Sequence, residues 1–221
     1  MSAAKPLIIA IDGPSGSGKS TLGRMLAREL NLLYIDTGSM YRAIALSVRE
    51  AKVDPKDHDA VITLAKSINL DFQGDPDSQR TLLAGRDVSE LIRSDSVTNM
   101  SSIVSAIPGV RRAMVALQRE MGKRGAVLNG RDIATVVFPD ADYKFFLTAS
   151  AEERANRRYQ EDQVKGSKTT LGETLAEMSE RDHRDTTRID SPLKIAEDAI
   201  VIDSTGKSLD EVFAEMMKQI G

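Results

Sequence analysis

The chain has 221 residues, 41% of them hydrophobic and 29% charged, with a formal net charge of -3. That is long enough for one domain with a sizeable core and small insertions, and it offers no overall basic surface for duplex nucleic acid. The absence of cysteine excludes disulfides and thiolate metal sites, the two histidines (His58 and His183) are too few for a histidine-based one, and no apolar run approaches the ~20 residues of a membrane span. The first residues show no apolar stretch ending in a small-residue cleavage site, so no secretory signal and a cytoplasmic location are expected.

Elements follow in chain order. "PLIIAID" is a short run rich in β-branched residues, as in a buried strand. "KSTLGRMLARELN" reads as a helix with Leu22, Met25, Leu26 and Leu30 on one face, and "LLYID" as a second strand. Helices are expected from Ser39 to Ala51, closing before Pro55, and from His58 to Ile68. Between Asn69 and Val88 the texture changes. "NLDF", "RTLLAG" and "RDV" read as short strands around the turn "QGDPDS", a small antiparallel insertion.

Helical patterning returns at Ser94–Ala106 and, after Pro108, at Val110–Lys123. "AVLNG" and "DYKFFLT" read as the third and fourth strands of the main series. "SAEERANRRYQEDQ" opens a helix with Ser150 as N-cap, "VKGSKTT" a polar mobile loop, and "LGETLAEMSERDHRDTTR" another helix. "AIVIDS" supplies a fifth strand and "SLDEVFAEMMKQI" a terminal helix. Apolar strands alternating with helices imply an α/β, doubly wound parallel sheet.

The first strand runs into Gly13, Pro14, Ser15, Gly16, Ser17, Gly18, Lys19, Ser20 and Thr21. Gly13, Gly18, Lys19 and Ser20 fit the phosphate-loop spacing, and the strand before and helix after are the context it needs. Loop N–H groups wrap a polyphosphate, the helix N-terminus faces the anion, Lys19 supplies a point charge and Ser20 a hydroxyl for Mg²⁺. A nucleoside triphosphate is the expected ligand.

Two segments end near the sheet's carboxyl edge, where ligands of open α/β sheets bind. "YIDTGSMYR" brings Asp36, Thr37, Tyr41 and Arg42 there, and "NGRDIATVVFPD" brings Arg131 and Asp132. Arg154, Arg157 and Arg158 share one helix face, and Arg181, Arg184 and Arg188 recur at i, i+3 and i+7 with Asp182 and Asp185 between them. Such a pattern suits a salt-bridged solvent face with Glu152, Glu153 and Glu180. Beside a phosphate loop it equally suits a closing lid that carries cations to a transferring phosphoryl group.

"IDGPSGSGKST", "YIDTGSMYRA", "NGRDIATVVFPDA", "SAEERANRR" and "ERDHRDTTRIDSPL" together resemble bacterial cytidylate kinases in order and spacing, over nearly the whole chain. The resemblance implies transfer of the γ-phosphoryl of ATP to CMP or dCMP. It implies a nucleoside monophosphate kinase fold with a five-stranded parallel core, an acceptor-binding insertion and a helical lid. The core would comprise residues 1–36, 107–150 and 186–221, the acceptor-binding domain 37–106 and the lid 151–185.

By similarity Arg42 and Arg131 would hold the CMP phosphate. Thr37, Arg111, Asp132 and Arg188 would face the cytosine, and Ser102, Arg181 and Asp185 the sugar. Tyr41 joins this CMP-binding set. Residues 13–21 would bind ATP with Mg²⁺ as its cofactor, Ser20 would be the metal ligand, and Arg154, Arg157 and Arg158 would serve the transferring phosphates. Lys19, Arg131, Asp132, Arg157 and Arg158 would form the catalytic set. Nucleotides would be the only partners, with no nucleic acid or membrane, and the chain a monomer. Thr37 and Ala134 stand where the family often has Ser and Gly. Asn129 replaces a frequent Asp, a weaker electrostatic partner beside Mg²⁺. Other readings of the phosphate loop are a kinase for another small acceptor, a GTPase-like switch, for which no Asn-Lys-x-Asp is found, and a regulatory nucleotide-binding protein.

Overall fold

The computed structural model describes residues 5–164 and 166–221. Residues 1–4, where a signal segment was not expected, and residue 165, within the connection expected to be mobile, lie outside them.

Five parallel strands form the central sheet: β1 (Ile8–Asp12), β2 (Leu33–Asp36), β6 (Ala126–Gly130), β7 (Tyr143–Thr148) and β8 (Ile200–Asp203), in the order β2-β6-β1-β7-β8. β1 is buried along its whole length, as a central strand covered on both faces must be. Its side chains alternate between two apolar layers. Ile9 and Ile11 pack with Leu22 and Leu26 of α1 (Lys19–Glu29) and with Val212 and Met216 of α8 (Leu209–Ile220). Ile8 and Ala10 face the opposite layer, with Ile44 of α2 (Thr37–Glu50) and Met114 of α5 (Pro108–Gly122).

The expected insertion is present as an antiparallel sheet of β3 (Leu70–Gln73), β4 (Arg80–Leu83) and β5 (Arg86–Asp87), between α3 (His58–Ser67) and α4 (Asp95–Val104). Its turn folds back toward α1: Arg28 pairs with Asp77 at 2.7 Å and Gln79 Nε2 donates to the Tyr34 carbonyl at 2.7 Å.

Two helix starts lie two residues earlier than expected. α2 begins at Thr37, directly off β2, and α5 begins at Pro108, because proline at the first helical position gives up no hydrogen bond. The apolar "IATVV" stretch, given no element from sequence, forms a π-helical turn at Ile133–Val137. Helices α6 (Ala151–Val164) and α7 (Leu171–Thr187) pack on each other. Ser150 Oγ accepts from the Glu153 N–H, as expected of an N-cap, and Thr170 with Glu173 forms a capping box on α7. Among the described residues no helix is long and apolar enough to cross a membrane.

Candidate active site

The loop after β1 is shaped by backbone positions that only glycine fills well. Gly13 has φ +146°, and a Cβ there would sit 2.0 Å from the Leu147 carbonyl oxygen of β7. Gly16 has φ +75°, and its Cβ would meet the Arg154 carbonyl at 2.8 Å. No side chain caps the N-terminus of α1, which leaves its first N–H groups available to an anion held in the loop. Lys19 is 5% exposed, and its Nζ donates to the Pro14 carbonyl and, at 3.1 Å, to Ser17 Oγ. Burial lowers its pKa well below the ordinary lysine value, and the nearby Arg131 pushes it further the same way.

The acceptor-side residues converge on the same edge. An alternating chain of charges runs through them. Arg111 Nη2 meets Asp132 Oδ2 at 2.7 Å, Arg188 Nη2 lies 3.8 Å from Asp132 Oδ1, Arg188 Nη1 meets Asp185 Oδ1 at 3.3 Å, and Asp185 Oδ2 accepts from Arg131 Nε at 2.7 Å. Arg111 is 2% exposed, its Nη1 donates to the Ser105 carbonyl, and its guanidinium lies 5.3 Å from the Tyr41 ring centroid. Burial works to raise the Asp185 pKa, but Arg131 and Arg181 outweigh it and hold the carboxyl below its usual range.

Ser102, Arg181 and Asp185 line one small cleft together with Ser101, Ser105 and Arg184. Arg181 is pushed down to about 10, first by burial and then by Arg131. Arg42 Nη2 donates to Asp36 Oδ2 at 3.1 Å and to Ser39 Oγ at 2.8 Å. Thr37 Oγ1 donates to the Asn129 carbonyl at 2.8 Å, so its hydroxyl remains an acceptor toward the cleft.

The arginines of α6 divide. Arg158 is part-exposed and bound to Asp162 at 2.8 Å, and its charge acts on Arg181. Arg157 is not brought into that group: Glu153, Ser204 Oγ and the Ser204 carbonyl take its donors. Arg154 fastens two elements together in this structure. Its Nε donates to the Ala149 carbonyl at 3.1 Å, and its Nη1 to the Ser15 carbonyl at 3.0 Å and to Asp182 at 2.6 Å, pinning the tip of the phosphate loop to α7.

The oxygen donors around Ser20 suit a hard divalent cation. Asn129 Nδ2 donates to Ser20 Oγ at 3.0 Å, while Asn129 Oδ1 is buried without a hydrogen-bond partner. Among the described residues no group of three His, Cys, Asp or Glu side chains is arranged to hold a metal. The fit therefore rests on neutral protein oxygens plus the phosphates of a bound nucleotide.

Sequence reasoning missed Asp12. It is 1% exposed at the end of β1, and its carboxylate accepts from the Ile133 N–H at 2.9 Å and the Ala134 N–H at 2.8 Å. Burial pushes its pKa up to about 6 against the two N–H groups that favour the anion. The available signal was a single carboxylate closing an otherwise apolar strand.

The chain matches the protein family described as Cytidylate kinase over residues 9–221. It is 47% identical over 215 residues to a cytidylate kinase of Geobacter sp. (strain M21), covering 97% of this chain and 92% of that protein. It is 50% identical over 214 residues to a cytidylate kinase of Corynebacterium efficiens, covering 96% and 93%. Among solved structures it resembles an uncharacterized protein from Eubacterium ventriosum ATCC 27560, with a TM-score of 0.56, 14% identity and 98% of each chain covered, a likeness of fold alone. The phosphate loop, the charged acceptor edge and these matches lead to one assignment: the chain belongs to the cytidylate kinase family.

Proposed function

We propose that the chain transfers the γ-phosphoryl group of ATP to CMP or dCMP, giving ADP and CDP or dCDP, with residues 13–21 as the ATP loop. The observation that carries this is the crowd of cations facing that loop: Arg131 and Arg181 lie close enough to add to the lowering of the Lys19 pKa by burial, Arg131 acts on Arg181 in the same way, and Asp185 is a carboxylate set among them. Such an arrangement suits a polyphosphate and an acceptor phosphate held together.

In the transfer, a phosphate oxygen of CMP attacks the γ-phosphorus as the bond to the β,γ-bridging oxygen breaks. The acceptor's second pKa is ~6, as for a phosphoserine, so no side chain need remove a proton near neutral pH. Arg42 and Arg131 orient the acceptor phosphate, Lys19 and Arg158 carry charge to the transferring group, and Arg111, Asp132, Arg188 and Thr37 read the base. Ser102, Arg181 and Asp185 face the sugar, and Tyr41 supports Arg111. Ser20 and Asn129 would hold Mg²⁺, which when bound neutralises charge on the nucleotide's phosphates. Residues 37–106 serve as the acceptor domain and 151–185 as the lid on a core of 1–36, 107–150 and 186–221. A monomer in the cytoplasm completes the proposal on the sequence reading alone.

A panel of nucleoside monophosphates with ATP and Mg²⁺ tests it. CMP and dCMP should be phosphorylated rapidly, UMP more slowly, and AMP and GMP hardly at all. Equal rates on AMP and CMP would overturn the assignment.

The lid has its own test. α6 buries only Arg154 and Ala155, and α7 only Thr174 and Met178. Segments with so little apolar burial open at low cost. Amide exchange from Glu152 to Arg184 should slow when CMP and a non-hydrolysable ATP analogue bind together. Exchange that is identical with and without both ligands rejects a closing lid.

A further inference from the structure

Donor and acceptor sites meet at one buried side chain. Asp12 ends β1 one residue before Gly13, and its neighbour across the ladder is Gly130 at the end of β6. From there its two carboxylate oxygens each take one N–H of the π-helical turn, Ile133 on Oδ1 and Ala134 on Oδ2. Arg131 and Asp132 stand immediately before that turn. The turn's far end is held as well: Arg119 Nε donates to the Val137 carbonyl at 2.8 Å and its Nη2 to the Val136 carbonyl at 2.6 Å. An anion on the first two N–H groups and a cation on the last two carbonyls thus clamp five residues of backbone.

A buried carboxylate is a costly choice for a purely structural tie. What it provides is two acceptors of fixed separation, which one amide oxygen does not match. The π-helical turn has little other means of fixing its first N–H groups, since they lie ahead of its own hydrogen bonds.

We propose that Asp12 is a positioning residue for acceptor recognition: it locks the Arg131–Asp132 pair to the strand that launches the phosphate loop, and so sets the reach between the base-reading site and the γ-phosphoryl group. Asp12 touches neither nucleotide in this scheme. It acts through Asp132, and the inference rests on the reading that Asp132 faces the cytosine.

Asp12→Asn is the direct test. The amide keeps the size but puts an N–H₂ against one of the two backbone N–H groups, so the turn must shift. The expected result is a folded enzyme whose kcat with CMP falls roughly 10- to 100-fold, as for misplacements of about 1 Å, while KM for ATP changes little. The CMP-to-UMP ratio of kcat/KM should contract along with it. A merely structural role would lower thermal stability and leave that ratio alone. Arg119→Met probes the other end of the same turn from an exposed residue assigned to neither nucleotide, and it should contract the ratio in the same direction. It decides the matter if Asp12→Asn does not fold. An unchanged CMP-to-UMP ratio in Arg119→Met and in any folded Asp12→Asn overturns the proposal. A wild-type enzyme with no preference for CMP would instead overturn the underlying reading of Asp132, so the two failures are distinguishable.

Discussion

Lys19→Ala should lower kcat about 100- to 1,000-fold, the range seen when one preorganised donor to a developing anion is removed. The ammonium is needed most where charge builds on the phosphoryl oxygens, so the loss should fall on turnover and not chiefly on ATP affinity. Folding should be nearly unaffected. The two hydrogen bonds that Lys19 makes to Pro14 and Ser17 are worth about 1 kcal/mol each, and their loss is offset by removing a buried cation from beside Arg131 and Arg181. The loop keeps its shape because Gly13 and Gly16 set its backbone against β7 and α6. Steady-state kinetics in ATP and CMP, with a thermal melt, check both halves. A variant with normal kcat and only a raised KM for ATP would show that Lys19 contributes uniform binding.

Arg111→Met should shrink the preference for CMP over UMP by roughly 10- to 100-fold, the cost of leaving one or two polar groups unpaired in a dry site. Cytosine offers a ring-nitrogen acceptor and an amino donor, where uracil offers an N–H and a carbonyl. Arg111 can only donate and ionised Asp132 can only accept, and the structure holds them side by side at 2.7 Å. A pair so disposed matches cytosine and opposes uracil. If Arg111 merely attracted an anionic nucleotide, both substrates would suffer by the same factor. Stability should fall too. Arg111 is fully buried, and its loss leaves Arg188 at 3.8 Å as the nearest cation to Asp132. Breaking a buried pair from one side costs about 3–5 kcal/mol, or roughly 10 °C in Tm for a chain of this size. Adding Asp132→Asn should restore much of the Tm without restoring the preference, which separates recognition from stability. An unchanged CMP-to-UMP ratio in Arg111→Met removes that residue from the base-reading site.

The legible parts of the molecule are those whose signals are local. The five sheet strands, the antiparallel insertion and the phosphate loop each announce themselves through periodicity or a fixed run of residue types, and all of them are present. The arginines were harder. Spacing puts Arg154, Arg157 and Arg158 near one helix face, but it does not say what else that face meets. Here Arg154 is spent on the Ser15 carbonyl and Asp182, and Arg157 on Ser204, partners far along the chain. Asp12 was unreadable for the same reason, since the N–H groups it serves belong to Ile133 and Ala134. The π-helical turn escaped because "IATVV" carries neither a helical nor an alternating pattern. Asn129 could be read as a departure from the family's frequent Asp, but its bond to Ser20 Oγ had to be seen.

The sheet order has a consequence for how the protein is made. β1, which carries the nucleotide loop, lies between β6 and β7, with Ile8 beside Ala126 and Ile9 beside Tyr143. β2 has β6 as its ladder neighbour as well. On a ribosome adding about 5–20 residues per second, Ile8 is synthesised some ~6–24 s before the strand that first pairs with it. Through that interval a strand buried along its whole length has no ladder, and every pairing it awaits closes a long loop, which slows assembly. The loop that follows β1 is thus synthesised well before the strands that flank it, and a nascent chain that halts before Ala126 holds β1 and β2 without their partners in the parallel sheet, with their hydrogen-bonding edges bare.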